Sequence, residues 1–510
     1  MKKFTLNILK DYPIVVSALM LGLVFQREIL GLLVFIGLAP FLSFLENTRQ
    51  SKFFKSWLGG FLFSAIVIHW FLANSPSAWA GISGWETKIA HIFVWLGSAA
   101  IFGLNWGLFA WLFRLIKTGG AFDFLTIPSA WILGEYFKAL LFSFFFWGQG
   151  AALGPYWTFG HLGYAAPQFF LAGRLVGLYG LSFMIVLINL VFLRLIKKTA
   201  DLKTVFAVAA SVALLVAGGR ALIGGEGTTK IRVAALQLQS QSRADIFWLQ
   251  DIINQKKVEG VLPLDVFVAP ENSRLFPNFK EKEMFQSLLN KTGVSVSSAY
   301  KFDELGRRFG SISYQAASGR LISRQQKTFL IPAGEFMPKN LEWFFRLANP
   351  KLLQRFNQLR KIERGADEER LVAYGGLRLA ALSCSGVIAP SFYRNLTKQG
   401  AQILINSASQ EIIRGSEAFH GQIKSMALWH AVANARPFVQ SANGGFSYLI
   451  DKDGRFIGRS DKIKDDIIVG DLTLENRLTP YSLFGEWMIA AAFLIVLGKI
   501  GGLFLNKRKR

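Results

Sequence analysis

The strongest constraint on this chain is a series of long apolar stretches separated by loops whose charge alternates along the sequence. A helix of about 20 mainly apolar residues crosses the hydrocarbon of a bilayer. Stretches of that kind run over 12–27, 29–46, 56–74, 89–116, 122–143, 168–193, 204–222 and 484–504. The first is followed at once by another apolar run with no small-residue cleavage site between them, so it reads as a span and not as a cleaved leader. Lys2, Lys3 and Lys10 precede the first span. Arg49, Lys52 and Lys55 lie between the second and third, Arg114 and Lys117 follow the fourth, and Arg194, Lys197, Lys198 and Lys203 lie between the sixth and seventh. The final four residues, Lys507 to Arg510, are all basic, whereas 144–166 holds no Asp, Glu, Lys or Arg. Basic loops stay on the cytoplasmic side. The pattern therefore predicts an inner (plasma) membrane protein with both termini cytoplasmic and residues 223–483 outside.

Composition agrees with a chain partly in lipid. Hydrophobic residues make up 52% and charged residues 18%, against about a quarter charged in soluble proteins. The net charge of +24 raises nucleic acid as a partner. The basic residues, however, flank apolar runs or scatter over the later domain, which fits topology and anionic lipid, so no nucleic-acid partner is expected. One cysteine, Cys384, excludes an intramolecular disulfide and any zinc site with two thiolates.

Two features of the bundle call for a reason. Glu135 and Lys138 fall inside the fifth span at a spacing that shares one helix face. Ionisable groups there are costly and often functional; a buried structural pair is the other reading. Phe142–Trp147 (FSFFFW) is an uncharged aromatic run on the outer side, either a lipid-contacting arm near a site or an interfacial belt.

From Lys230 charged residues become frequent and short β-type runs alternate with helical segments. Strands are expected over 231–238, 265–270, 294–300, 311–317, 377–384, 401–408, 438–443 and 446–451, and helices near 242–256, 279–291, 351–365 and 416–435. Nearly continuous apolar strands of this kind are buried on both faces in an α/β sandwich. The division expected is a seven-helix bundle over 1–222, entered from a linker at 222–230 into a catalytic domain over 223–483, then an eighth helix and basic tail over 484–510.

Three residues stand at or near strand ends, where α/β folds place their sites: Glu271 in VFVAPE, Lys327 in RQQKTFLIPAGE and Cys384 in LRLAALSC. Singly, they read as a helix-starting acid, a surface lysine and a core cysteine. In that order and spacing the domain resembles the carbon–nitrogen hydrolase (nitrilase) superfamily, whose triad is Glu, Lys, Cys, and whose fold is an αββα sandwich. Over almost its full length the chain resembles the bacterial apolipoprotein N-acyltransferases. The likeness is carried by PSAWILGEYFK (128–138), WGQG, GLYGLSF (177–183), APENS, KTFLIPAGEFMP, ALWHAVANARPFVQSANGG and LTPYSLFGEW (478–487). The chain departs from the family's aromatic and glutamate after the cysteine, having Ser385 and Gly386. It also has Ser409 where a loop tryptophan is usual.

The resemblance implies an enzyme that moves an acyl chain from a phospholipid to the α-amino group of a lipoprotein's diacylglyceryl-cysteine, with no metal or organic cofactor. Cys384 would attack the ester with Glu271 as base. Lys327 and the backbone N–H of Ser385 would receive the oxyanion, and Glu335 would orient Lys327 or the amine. Lysophospholipid would leave before the amine binds, giving ping-pong kinetics through a thioester. A membrane-bound hydrolase using water, or a catalytically impaired lipid-binding homologue, remains open at this point. The five histidines, without a Gly-x-Ser-x-Gly elbow, offer no rival triad.

Overall fold

The computed structural model describes residues 2–47, 52–73, 85–223, 229–240, 246–273, 287–366, 370–413 and 415–508. Among them, four helices are long and apolar enough to cross a membrane: Glu28–Glu46, Lys88–Ile116, Pro167–Ile196 and Leu202–Ala221. Tyr12–Val24, Phe53–Val67 and Trp487–Leu503 are shorter apolar helices. The expected fifth span is a helix, Asp123–Phe145, interrupted in polarity by buried Asp123, Glu135 and Lys138. Leu202–Ala221 is peripheral: 11% of its apolar window is buried, against 72% for Pro167–Ile196.

The second stretch is not one continuous α-helix. A 3₁₀ segment, Glu28–Phe35, gives way to an α-helix over Ala39–Glu46. Pro40 cannot donate a backbone N–H and restricts the residue before it, which favours a break here. The groups freed at the break are met by one side chain. Asn189 accepts from Leu38 N at 2.8 Å and donates to Val34 O at 2.8 Å. A side chain on a neighbouring helix thus replaces the missing backbone partner, as an apolar surrounding requires.

The helix Phe170–Ile196 is also interrupted, at Gly177, whose φ is 72°. A Cβ there would lie 2.4 Å from the carboxylate of Glu486. That carboxylate accepts from Leu178 N and Tyr179 N, both at 3.2 Å, and so caps the helix where it restarts. GLYGLSF and FGEW, far apart in sequence, form one joint.

The ends of the bundle differ in charge. At one end Glu46 faces Lys197 at 2.7 Å, Arg194 at 3.4 Å and Lys117 at 3.9 Å, and Asp123 faces Arg194 at 3.3 Å. The basic loops therefore converge. The other end carries the 146–169 connection and packs on the α/β domain.

That domain has two six-stranded sheets. Strands are numbered along the chain: β1 Lys230–Gln237, β2 Leu264–Val268, β3 Leu289–Phe302, β4 Arg308–Ala316, β5 Leu321–Gln326, β6 Val372–Tyr374, β7 Leu377–Ser383, β8 Ile403–Ser409, β9 Phe438–Asn443, β10 Tyr448–Ile450, β11 Phe456–Arg459 and β12 Asp466–Thr473. The orders are β12-β1-β2-β3-β4-β5 and β11-β10-β9-β8-β7-β6. The runs β1-β2-β3 and β7-β8-β9 are parallel and the flanking pairs antiparallel. Alternate residues of both sheets, among them Val233, Val266, Val296, Leu379, Ile405 and Val439, make the core between them. The opposite face of the second sheet, through Leu382, Leu404 and Phe438, joins the same apolar core as the bundle by way of the helices Pro390–Lys398 and Glu417–Asn434.

Several expected boundaries change. The helix expected near 279–291 lies mostly outside the described residues, and from Leu289 the chain is already strand. Most of the expected linker, 224–228, also lies outside them. Edge strands β5, β6, β11 and β12 and the helices Lys339–Ala348 and Pro390–Lys398 are additional elements.

Candidate active site

The site forms at the C-terminal ends of the parallel strands. Three residues beyond β2 the chain reaches Glu271, held by its own backbone: its N–H donates to Ala408 O at 3.3 Å and its carbonyl accepts from the Asn443 side chain. Asn272, at φ 57°, turns the chain sharply there and accepts from Tyr300 N at 3.0 Å. Cys384 directly follows β7 and opens a 3₁₀ turn, Cys384–Ile388. Its φ of 42° is unusual for a residue with a Cβ. Lys327 directly follows β5, with its N–H donating to Gly310 O at 2.8 Å.

The structure buries Glu271, Lys327 and Glu335 together and sets the half-buried Cys384 near enough to feel the charge of all three. Lys327 Nζ lies 2.6 Å from Glu335 Oε1 and 3.7 Å from Glu271 Oε1. The second oxygen of Glu335 accepts from Ile331 N at 2.9 Å, which pins that carboxylate in its own loop. Cys384 Sγ donates to Ser409 O at 3.3 Å. Ser385 is placed differently from a pure backbone donor: its hydroxyl donates to Phe329 O at 2.6 Å, tying the Cys384 turn to the segment after Lys327. Its N–H is in the first turn of a 3₁₀ helix, where no intrahelical acceptor exists.

Ser383 is a neighbour that sequence reasoning missed. Its hydroxyl donates to Glu271 Oε1 at 2.6 Å and lies 3.1 Å from Ser298 Oγ. The sequence signal was available: a polar residue beside the cysteine at the end of an apolar strand.

Electrostatics follow from burial and from two carboxylates around one ammonium. Burial pushes the Cys384 thiol up to about 12, Glu271 adds to the rise, and Lys327 opposes it. At neutral pH the thiol keeps its proton, so a base must remove it during attack. Burial acts to lower the Lys327 pKa, but Glu335 and Glu271 outweigh it and hold the ammonium above its ordinary value. Burial raises Glu335, with Lys327 as the main opposing influence. No cluster of three or more His, Cys, Asp or Glu that could hold a metal occurs among the described residues.

Position 386 explains one departure from the family pattern in steric terms. A Cβ on Gly386 would fall 2.5 Å from Leu382 Cβ and 3.0 Å from its Cδ1. The turn is packed so closely on β7 that no side chain fits there without a shift.

Comparison with known proteins matches two regions. Residues 17–191 match the apolipoprotein N-acyltransferase N-terminal domain, and residues 280–477 match carbon–nitrogen hydrolase. An apolipoprotein N-acyltransferase of Geobacter metallireducens is 25% identical, over 96% of this chain and 94% of its own length. That of Caulobacter vibrioides is 24% identical, over 94% and 93%. Over almost its full length the chain is therefore similar to the apolipoprotein N-acyltransferases. Lys327, Glu335 and Cys384 fall within the hydrolase match, and Glu271 lies just before it. A carbon–nitrogen hydrolase structure from Helicobacter pylori G27 aligns at 16% identity, covering 48% of this chain and 89% of that one, with a TM-score of 0.36.

Proposed function

We propose that this enzyme transfers an acyl chain from a membrane phospholipid, through a thioester on Cys384, to the α-amino group of a lipoprotein's diacylglyceryl-cysteine. The observation that carries the reading is the grouping of buried Glu271 and Lys327 with the half-buried Cys384, in a domain packed on an apolar helical bundle, in a chain whose full-length relatives are apolipoprotein N-acyltransferases.

The chemistry starts from a protonated thiol. Cys384 swings from Ser409 O toward Glu271, which accepts the proton as sulfur attacks the ester carbonyl. Ser383 and Lys327 hold the Glu271 carboxylate in place before that transfer. Lys327, oriented by Glu335, donates to the developing oxyanion together with the N–H of Ser385. Glu271 then returns its proton to the departing lysophospholipid. Ionised again, it accepts one from the incoming amine, so the two halves run in ping-pong order. All these groups belong to the chain, and the scheme uses no cofactor.

The topology belongs to the same reading. Eight crossings place the converging basic loops in the cytoplasm and residues 223–483 on the outer face of the plasma membrane, with 1–222 as the seven-helix bundle and 484–510 as the eighth helix and tail. Both lipid-anchored substrates then reach the site by lateral diffusion.

Product analysis tests the acceptor. Given phospholipid and a diacylglyceryl-cysteine peptide with a free amine, the enzyme is expected to yield N-acylated peptide and lysophospholipid in equal amounts. Free fatty acid in place of acylated peptide would make it a hydrolase instead.

A further inference from the structure

Glu135 and Lys138 remain unexplained by the chemistry at Cys384, yet both are buried in the bundle at 0% and 1% exposure. Removing two ionisable groups from water is costly, and apolar replacements would usually stabilise at least as well. The two charges are both directed at the outer loop that follows their helix. Glu135 Oε1 accepts from Leu162 N at 2.9 Å and from Trp131 Nε1 at 3.1 Å, and Lys138 Nζ donates to Phe159 O at 3.1 Å. Within that loop His161 Nδ1 donates to Thr158 O at 2.7 Å, and Gly163 N donates to Ser182 Oγ at 2.9 Å. The segment from 158 to 163 is therefore fixed by side chains of two bundle helices.

Its outward side holds the nucleophile's turn. Thr158 Oγ1 donates to Ile388 O at 2.9 Å and lies 3.1 Å from Tyr164 Oη. Ile388 ends the 3₁₀ turn that Cys384 begins. The preceding carbonyl, Val387 O, accepts from His430 Nε2 at 2.8 Å. A residue with a Cβ at φ 42° keeps that conformation only where its surroundings over-determine it. Here one end of the turn is fixed by β7, and the other by Thr158 and His430.

We propose that Glu135, Lys138 and Thr158 are positioning residues: through the 158–163 loop they hold the Cys384 turn in its reactive geometry, so the bundle sets the nucleophile as well as anchoring the domain. The inference rests on reading Cys384 as the nucleophile. It reaches beyond that reading by giving the intramembrane pair a role in the rate of attack. None of the three touches substrate, so the effect is on kcat rather than on lipid binding.

The test uses the full chain in detergent micelles, as wild type, Thr158→Val, Thr158→Ser, Glu135→Gln and Lys138→Met. Two rates are measured per folded molecule: alkylation of Cys384 by iodoacetamide, and single-turnover thioester formation from dioleoylphosphatidylethanolamine. Thr158→Val is expected to slow both by about 10- to 100-fold, the cost of a small misplacement of a reacting group, with KM for the lipid within about twofold. Thr158→Ser, which keeps the hydroxyl, is expected to restore both rates. Glu135→Gln and Lys138→Met should behave as Thr158→Val does. If either fails to fold, the Thr158 pair decides. A Thr158→Val enzyme reacting at the wild-type rate in both measurements overturns the proposal, as does an equal loss in Thr158→Ser. Wild type that alkylates normally but forms no thioester would defeat the assigned function alone, because alkylation still reports on the position of the thiol.

Discussion

Lys327 leans on Glu335, at 2.6 Å, rather than on Glu271, which stands 3.7 Å away. Two carboxylates thus share one ammonium unequally. The closer one is fixed by Ile331 N, and the proposed scheme gives it the supporting role and gives the farther one the proton transfer. Replacing Glu335 with Gln keeps the shape and removes the charge that orients Lys327. We expect kcat for thioester formation to fall by about 10²-fold or more, the usual cost of disturbing an oxyanion donor. Lipid KM should change little. Pre-steady-state mass spectrometry of Cys384 checks this, and an unchanged kcat would remove Glu335 from the site's machinery.

The thiol's environment predicts an unusual pH dependence. Burial first, then Glu271, make the thiolate less favourable than in a free cysteine, and Lys327 compensates only in part. Alkylation by iodoacetamide should therefore rise about tenfold per pH unit from about pH 7 to 10, with no levelling near the ordinary thiol value of about 8.5. The sign follows from the raised pKa: the reactive anion is gained only as pH climbs toward about 12. Lys327→Met should push the curve further upward in pH. A plateau below about pH 9 would contradict this description of the site.

Gly386 gives a prediction against the family pattern. Introducing the glutamate that the family resemblance leads one to expect should not improve this enzyme, because a first side-chain atom would meet Leu382 at 2.5 Å. Gly386→Glu and Gly386→Ala are both expected to lose about 1–3 kcal/mol of stability, the cost of overpacking, and to slow acylation. Thermal unfolding and thioester assays on the two variants measure it. A faster Gly386→Glu enzyme would show that the turn yields more readily than its packing indicates.

The joint between Gly177 and Glu486 should matter to stability without touching chemistry. Glu486→Ala leaves the N–H groups of Leu178 and Tyr179 unmet, at a cost of about 1–3 kcal/mol. Gly177→Ala adds a Cβ at φ 72°, 2.4 Å from the same carboxylate, so it should destabilise comparably or more. Thermal melting in detergent reads both, with the alkylation rate of the folded fraction expected to stay unchanged.

Much of the site was legible because its residues sit where strands end. An apolar run terminating in a glutamate or a cysteine marks the C-terminal edge of a parallel strand, and β2 and β7 behave that way. The parts that escaped are those without a local signature. β5 carries Arg324, Gln325 and Gln326 and has no fully buried residue, so no apolar alternation announces it, although it delivers Lys327. Pro390 at the start of Pro390–Lys398 is a helix signal readable in the sequence. The break near Leu38 meets Asn189, and the end of the Cys384 turn meets Thr158. Partners so distant in sequence leave no periodicity to read. Glu135 and Lys138 stand out in the sequence as charges within an apolar span, but the loop they hold meets Ile388 only in the folded chain.

The most direct test of the central claim is intact-protein and peptide mass spectrometry after incubation with isotope-labelled phosphatidylethanolamine and no acceptor, comparing wild type with Cys384→Ala. The account predicts one labelled acyl group on the Cys384 peptide of the wild type, discharged on adding a diacylglyceryl-cysteine peptide, and none on the variant. Acylated lipopeptide made by Cys384→Ala at the wild-type rate would contradict it.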